Sequence, residues 1–278
     1  RNTMQLSSRF ANATPLLRAD HPLSDEQIYR VAPSIYAEAK HQSRSERYTY
    51  IPTGEVLGAL RKEGFQPFMV CQTRVRDTGK REHTKHMLRL RHANQINGAE
   101  ANEIILLNSH DGTSSYQMLA GMFRFVCSNG LVCGDTVADL RIPHKGDVIG
   151  KVIAGAYDVL DGFELVRERR EGMAAITLDH GESEVFARAA LSLKYDDPVK
   201  PAPITEAQLL QPRRLGDERP DLWSTFNRVQ ENLVQGGLSA RTANGRRSHT
   251  RAIQGIDQNV KVNRALWILA EEMKRLKG

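Results

Sequence analysis

The sequence holds 278 residues, 40% apolar and 26% charged, with 39 Lys and Arg against 33 Asp and Glu and hence a net charge of +6. That is enough apolar material for one large domain, or a domain with an appendage, of soluble character. No apolar run nears the ~20 residues a helix needs to span a bilayer and no charged-then-apolar leader opens the chain, so a cytoplasmic protein with no membrane contact is expected.

Residues 1–23 are polar, interrupted by Pro15 and Pro22, and predict an irregular N-terminal arm. Ser24 and Gln27 form a capping box. It opens a helix that the apolar spacing of Ile28, Val31, Ile35 and Ala39 carries to about Gln42, with a kink at Pro33. Residues 48–51 predict a short strand. Thr53 is expected to cap a second helix that buries Val56, Leu57 and Leu60 and ends at Gly64.

Residues 65–135 read as a β-meander of four strands. They are FQPFMVCQTRVR (65–76), TKHMLRLRHA (84–93), EIILLNS (103–109) and YQMLAGMFRFVCSNGLVCGD (116–135), the last turning at Ser128-Asn129-Gly130. The turns Asp77-Thr78-Gly79-Lys80 and His110-Asp111-Gly112-Thr113 carry strong hairpin chemistry. A long helix over about residues 146–171 follows, then another from Gly181 to Leu193. The run DDPVKPAPIT (196–205), with its three prolines, reads as a linker. Beyond it, helical spacing returns at 222–233 and 259–276.

The expected fold class is therefore α+β, an antiparallel β-meander packed against a long helix, with a helical C-terminal extension. The expected division is an arm (1–23), an α+β nucleic-acid-binding core (24–195), a linker (196–205) and a helical region with a basic loop (206–278). Cys71, Cys127 and Cys133 lie in predicted strands and read as reduced, buried thiols. Cys127 and Cys133 have no matching pair of histidines, which argues against a zinc site.

No phosphate loop, dinucleotide-binding glycine pattern, nucleophile elbow or HExxH motif is present, so the expectation is a protein without catalytic residues, metal or cofactor. His83 and His86, three apart on a strand, point to opposite faces. Charge distribution says more. From Arg74 to His92 seven basic residues (Arg74, Arg76, Lys80, Arg81, Lys85, Arg89 and Arg91) stand against Asp77 and Glu82, a local charge of +5. Strand alternation puts Lys85, Arg89 and Arg91 on one face and Leu88 and Leu90 on the other. Merged with Arg74 and Arg76 across a hairpin, they form a positive row that calls for an anionic counterpart.

A second positive element is the Gly-rich stretch GGLSARTANGRRSHTRA (236–252), with Arg241, Arg246, Arg247 and Arg251 and no acid. It fits a phosphate-contacting arm or a plain connector. Phe65, Phe68, Tyr48 and Tyr50 could stack on bases, although each also fits a core position. Phe123 and Phe125 read as core.

The string Phe123-Arg-Phe-Val-Cys-Ser-Asn-Gly-Leu-Val-Cys-Gly134 resembles the signature of an uncharacterised family encoded by conjugative plasmids, prophages and bacterial genomic islands. Tyr50-Ile-Pro-Thr-Gly-Glu-Val-Leu, continuing to Gly64-Phe65, resembles the same family, and the similarity runs from about Ile28 to Tyr195. The order of a helix ending in Gly-Phe, a basic meander and a long helix is also similar to single-strand annealing proteins of the Rad, Redβ and Erf superfamily. Phe68 stands where that superfamily usually carries tryptophan.

This second resemblance implies an oligomeric ring holding single-stranded DNA in a basic groove, without ATP or metal. By position, Arg74, Arg76, Lys85, Arg89 and Arg91 would line that groove. The expected function is single-stranded DNA binding and strand annealing in recombination, RNA being the alternative ligand, by a homo-oligomer of a mobile genetic element. Replacing Arg89 and Arg91 with Glu is then expected to abolish DNA binding without unfolding the chain. Two other readings stay open. One is a protein-interaction module, an anti-defence or regulatory inhibitor; the other is a nucleic-acid enzyme using His83, His86, Asp135 and Asp139.

Overall fold

The computed structural model describes residues 15–37, 51–73, 85–95, 99–108, 115–134, 137 and 139–278. The chain divides into two compact units, the first comprising Arg1–Gly130 with Val137–Phe163 and the second Leu131–Thr136 with Glu164–Gly278. The division falls well before the proline-rich run at 196–205, which lies inside the second unit.

The first unit opens with β1 (Leu16–Arg18), α1 (Asp25–Val31) and α2 (Thr53–Lys62). The antiparallel meander follows as β2 (Phe65–Gln72), β3 (His86–His92), β4 (Glu100–Asn108) and β5 (Tyr116–Arg124), with β1 on the outer side of β2. The chain leaves this unit within β6 (Asn129–Val132) and returns for β7 (Leu140–Ile142), which pairs with β5. Helices α2 and α3 (Val148–Asp161) pack on each other and on the sheet, burying Val56, Leu57, Leu60, Val152, Ala156 and Val159 together with Leu88, Leu90 and Ile104.

Local chemistry explains where the elements stop. The capping box at Ser24 is present, with Ser24 Oγ accepting from Gln27 N and Gln27 Oε1 from Ser24 N. The expected continuation to Gln42 is not: α1 ends at Val31. Ala32, preceding a proline, sits at φ −134° and ψ 70°, outside the helical region, and Pro33 opens a 3-10 turn, Pro33–Tyr36. Residues 38–50, with the strand expected at 48–51 and both Tyr48 and Tyr50, lie outside the described residues, and Ile51 is not in a strand. The arm holds β1, whose three residues are too few to show alternation. The single long helix expected after the meander is two, α3 and α4 (Phe163–Ala174), separated at Gly162. There a Cβ would lie 2.4 Å from Val137. Cys71, Cys127 and Cys133 are buried and form no disulfide with one another.

Thr53 is the first residue of α2 rather than its cap, and its hydroxyl serves the core instead. Thr53 Oγ1 meets His86 Nε2 at 2.9 Å and the Tyr116 hydroxyl at 3.0 Å, and accepts from Asn108 Nδ2 at 2.9 Å. His86 Nδ1 meets Ser34 Oγ, and His144 Nε2 meets Asn108 Oδ1. All of these residues are buried. Thr53→Val keeps the shape but leaves buried partners one bond short. It should cost about 1–3 kcal/mol in a urea unfolding experiment, and an unchanged midpoint would show the network to be dispensable.

The second unit contains most of α4, then α5 (His180–Lys194), α6 (Glu206–Leu210), α7 (Leu222–Gln235), the hairpin β8 (Ser239–Arg241) and β9 (Arg247–His249), and α8 (Ile256–Lys277). Helix α7 runs through its middle, with every residue from Leu222 to Leu233 buried. Trp223 stacks on Phe226 at 5.5 Å, and Trp267 of α8 meets both edge-on at 6.0 Å. Among the described residues no helix is long and apolar enough to cross a membrane.

Candidate nucleic-acid interface

Among the described residues, the strand face that alternation assigns to Arg89 and Arg91 is not a basic surface. Arg89 and Arg91 do share a face opposite Leu88 and Leu90, but that face is interior: Arg89 is 1% exposed and Arg91 3%. Both pair with one carboxylate. Arg89 Nη1 lies 3.1 Å and Arg91 Nε 2.9 Å from the two oxygens of Glu103, itself fully buried. The register explains this, since Arg89 is opposite Ile105 and Glu103 lies two residues along β4 on the same face.

Phenylalanines surround the pair, with Arg91 4.3 Å from the Phe68 ring centroid and 5.0 Å from that of Phe123. Gly130 leaves the room needed, because a Cβ there would sit 2.7 Å from the Arg89 guanidinium carbon. Arg18 of β1 stands 4.3 Å from Phe123 on the same face. Burial, with Arg89 and Arg91 nearby, lowers its pKa to about 10, against the pull of Glu103. The groove-lining role expected of Arg89 and Arg91 is therefore corrected. Replacing both with Glu would put three carboxylates into the sheet interior and unfold the unit rather than only remove a binding surface.

Lys85 is half-buried at the start of β3, and its carbonyl accepts from Thr73. Arg74, Arg76, Lys80 and Arg81 lie outside the described residues, as do His83 and Asp135. His86 belongs to the buried hydroxyl network. Asp139 Oδ2 accepts from Gln117 and pairs with Arg141, so the structure does not bring these two together as a site. Phe65 and Phe68 are core residues, as is Phe123, whereas Phe125 is 39% exposed in the turn after β5.

The basic stretch of the second unit has a defined geometry. What read as a loop is the hairpin β8–β9, closed by bonds from Thr242 N to Arg246 O and Gly245 N to Thr242 O. Register places Arg241 directly opposite Arg247 and Ser239 opposite His249, while Ala240 and Ser248 share the other face. Arg241, Arg246, Arg247 and Arg251 are all exposed. Among the described residues none of the four is paired with a carboxylate.

A cavity of about 340 Å³ opens beside this hairpin. Lys194 and Tyr195 at the end of α5, Pro203, Ala240, Arg241, the segment 248–253 and Gln258 line it. The Lys194 ammonium donates to the carbonyls of Leu233 and Arg251, at 3.0 and 2.7 Å, tying α5 to α7 and to the segment that follows β9. Burial lowers the Lys194 pKa from the ordinary 10.5 to about 8. Between those values the unfolded chain holds more protons than the folded one, so this group raises stability as pH climbs from about 8 towards 10.5. Lys194→Met is expected to flatten that part of a stability-against-pH curve.

Gly236 closes α7 at φ 67°, and a Cβ there would sit 2.6 Å from the Arg251 carbonyl carbon. Gly236→Ala should therefore push the Arg251–Ala252 backbone off the end of α7, a clash added to the ~1–3 kcal/mol of a strained left-handed residue. Sequence inspection missed Lys194, Tyr195 and Pro203. The signal available was the basic stretch alone, because a linker reading of 196–205 concealed that this run folds back beside it.

A model of a domain of unknown function, DUF932, matches residues 40–267. The chain belongs to the DUF932 family. Two relatives from Escherichia coli strain K12, the UPF0380 protein YafZ and the UPF0380 protein YfjQ, are each 58% identical to it over 269 residues, 97% of both chains. No solved structure matches. The hairpin and the cavity both fall inside the DUF932 span, as do the Arg89–Glu103–Arg91 pairing and the hydroxyl network around Thr53, which is bounded by Ser34 just outside it.

Proposed function

We propose that this DUF932 protein binds single-stranded nucleic acid through the arginine hairpin of its second unit and promotes annealing of complementary strands. The observation that carries this reading is the β8–β9 register. It sets Arg241 against Arg247 with no carboxylate partner among the described residues, and Arg246 and Arg251 extend the row. Like charges directly opposite in a hairpin are destabilising, and a phosphate chain relieves that repulsion while releasing counterions. The resemblance to a family carried on plasmids and prophages supports a role in recombination by a homo-oligomer of a mobile element, while the likeness to annealing proteins no longer extends to Arg89 and Arg91. The binding surface proposed is the hairpin, in place of the sheet.

The test is fluorescence anisotropy of a labelled single-stranded oligonucleotide at several salt concentrations, followed by an annealing assay. Tight binding that weakens with salt, and weaker binding to pre-formed duplex, is the expected result. No binding at low salt would overturn the reading and favour a surface that meets an acidic protein.

A further inference from the structure

We infer that the cavity beside the arginine hairpin is a seat for a single unstacked base, with its phosphate held at the rim by Arg241 and Arg251. This deepens the proposed function and rests on it. Three observations converge. The cavity, about 340 Å³, matches the volume of small-molecule sites, which begin at ~300 Å³. Its lining is divided by chemistry: Tyr195, Pro203 and Ile253 offer apolar and aromatic surface, while Ser248 and Gln258 offer donors and acceptors suited to a base edge. Arg241 and Arg251, both exposed, stand among the same lining residues.

The aromatic wall is also pre-set. Tyr195 follows α5 directly, and Lys194 Nζ stands 5.4 Å from its ring centroid while bonded to the carbonyls of Leu233 and Arg251. The wall, the rim and α7 are thus tied through one ammonium group, so little ordering remains to be done on binding. Bases of any identity stack on such a ring, which fits a strand held without sequence preference. One base seated per chain leaves its neighbours free to pair.

The experiment compares a labelled decathymidylate with the same backbone lacking bases, by anisotropy on the full chain at fixed salt. The expected result is at least tenfold tighter binding of the decathymidylate. Tyr195→Ala should remove that difference while leaving affinity for the abasic strand unchanged, and Tyr195→Phe should retain it. Thermal melting of each variant reports on folding. Equal affinity of the two strands for the unaltered chain would overturn the base seat and leave hairpin binding standing. So would an equal loss for both strands in Tyr195→Ala. Failure of both strands to bind at low salt would overturn the seat together with the functional reading.

Discussion

Replacing Glu103 with Ala is expected to cost the first unit about 3–5 kcal/mol, because it leaves Arg89 and Arg91 buried without the carboxylate they share. Typical domains are stable by only about 5–15 kcal/mol, so a fifth or more of the total is at stake, and partial unfolding at room temperature is a foreseeable outcome. Urea unfolding followed by circular dichroism measures it. The control is a triple replacement, Arg89→Met, Arg91→Leu and Glu103→Leu. It removes these three charges together and should recover part of the loss, since exchanging buried ions for packed apolar groups is often neutral, while Arg18 on the same face still loses the pull of Glu103. A loss below ~1 kcal/mol in Glu103→Ala, against the cost expected of a broken buried pair, would mean that water reaches the arginines and that the sheet face is open after all.

The second large effect concerns the hairpin. Arg241, Arg246, Arg247 and Arg251 replaced together by Glu should leave the melting temperature nearly unchanged, since all four are exposed and none is ion-paired among the described residues. Single-stranded DNA binding should disappear. In the unaltered chain four phosphate contacts correspond to a log–log salt slope of roughly −2.8, and so to roughly fifty-fold weaker binding between 50 and 200 mM salt. A quadruple variant that binds with unchanged affinity and slope would remove the hairpin from consideration. A flat salt dependence in the unaltered chain would argue that phosphates are not what it contacts. Paired with the Glu103 experiment, this separates two groups of arginines that look alike in sequence, one acting in stability and the other in binding.

Much of the architecture is legible from local chemistry. The capping box at Ser24, the strands beginning at Phe65 and Tyr116, and the helices around Trp223 and Leu266 follow from side-chain spacing and turn residues, which act over a few positions. The shorter elements are not. β1 has three residues and β7 three, and each exists because a partner strand supplies hydrogen bonds, a fact no short window contains. The close approach of Val137 to Gly162 likewise comes from the folded unit, not from the residues next to Gly162 in sequence.

The candidate site divides in the same way. The sequence by itself determined which residues carry charge, that Arg89 and Arg91 share a strand face, and that residues 236–252 hold no acid, because alternation and composition are local properties. Only the tertiary structure decided which of those charges meet water. Glu103 lies on a different strand, and pairing of β3 with β4 delivers it to both arginines, turning an apparent binding face into interior. The hairpin at Arg241 to Arg247, with no carboxylate brought to it among the described residues, keeps its charge exposed. The physical reason is that an arginine's role is set by the dielectric around it and the counter-charge beside it, and both come from segments distant in the chain.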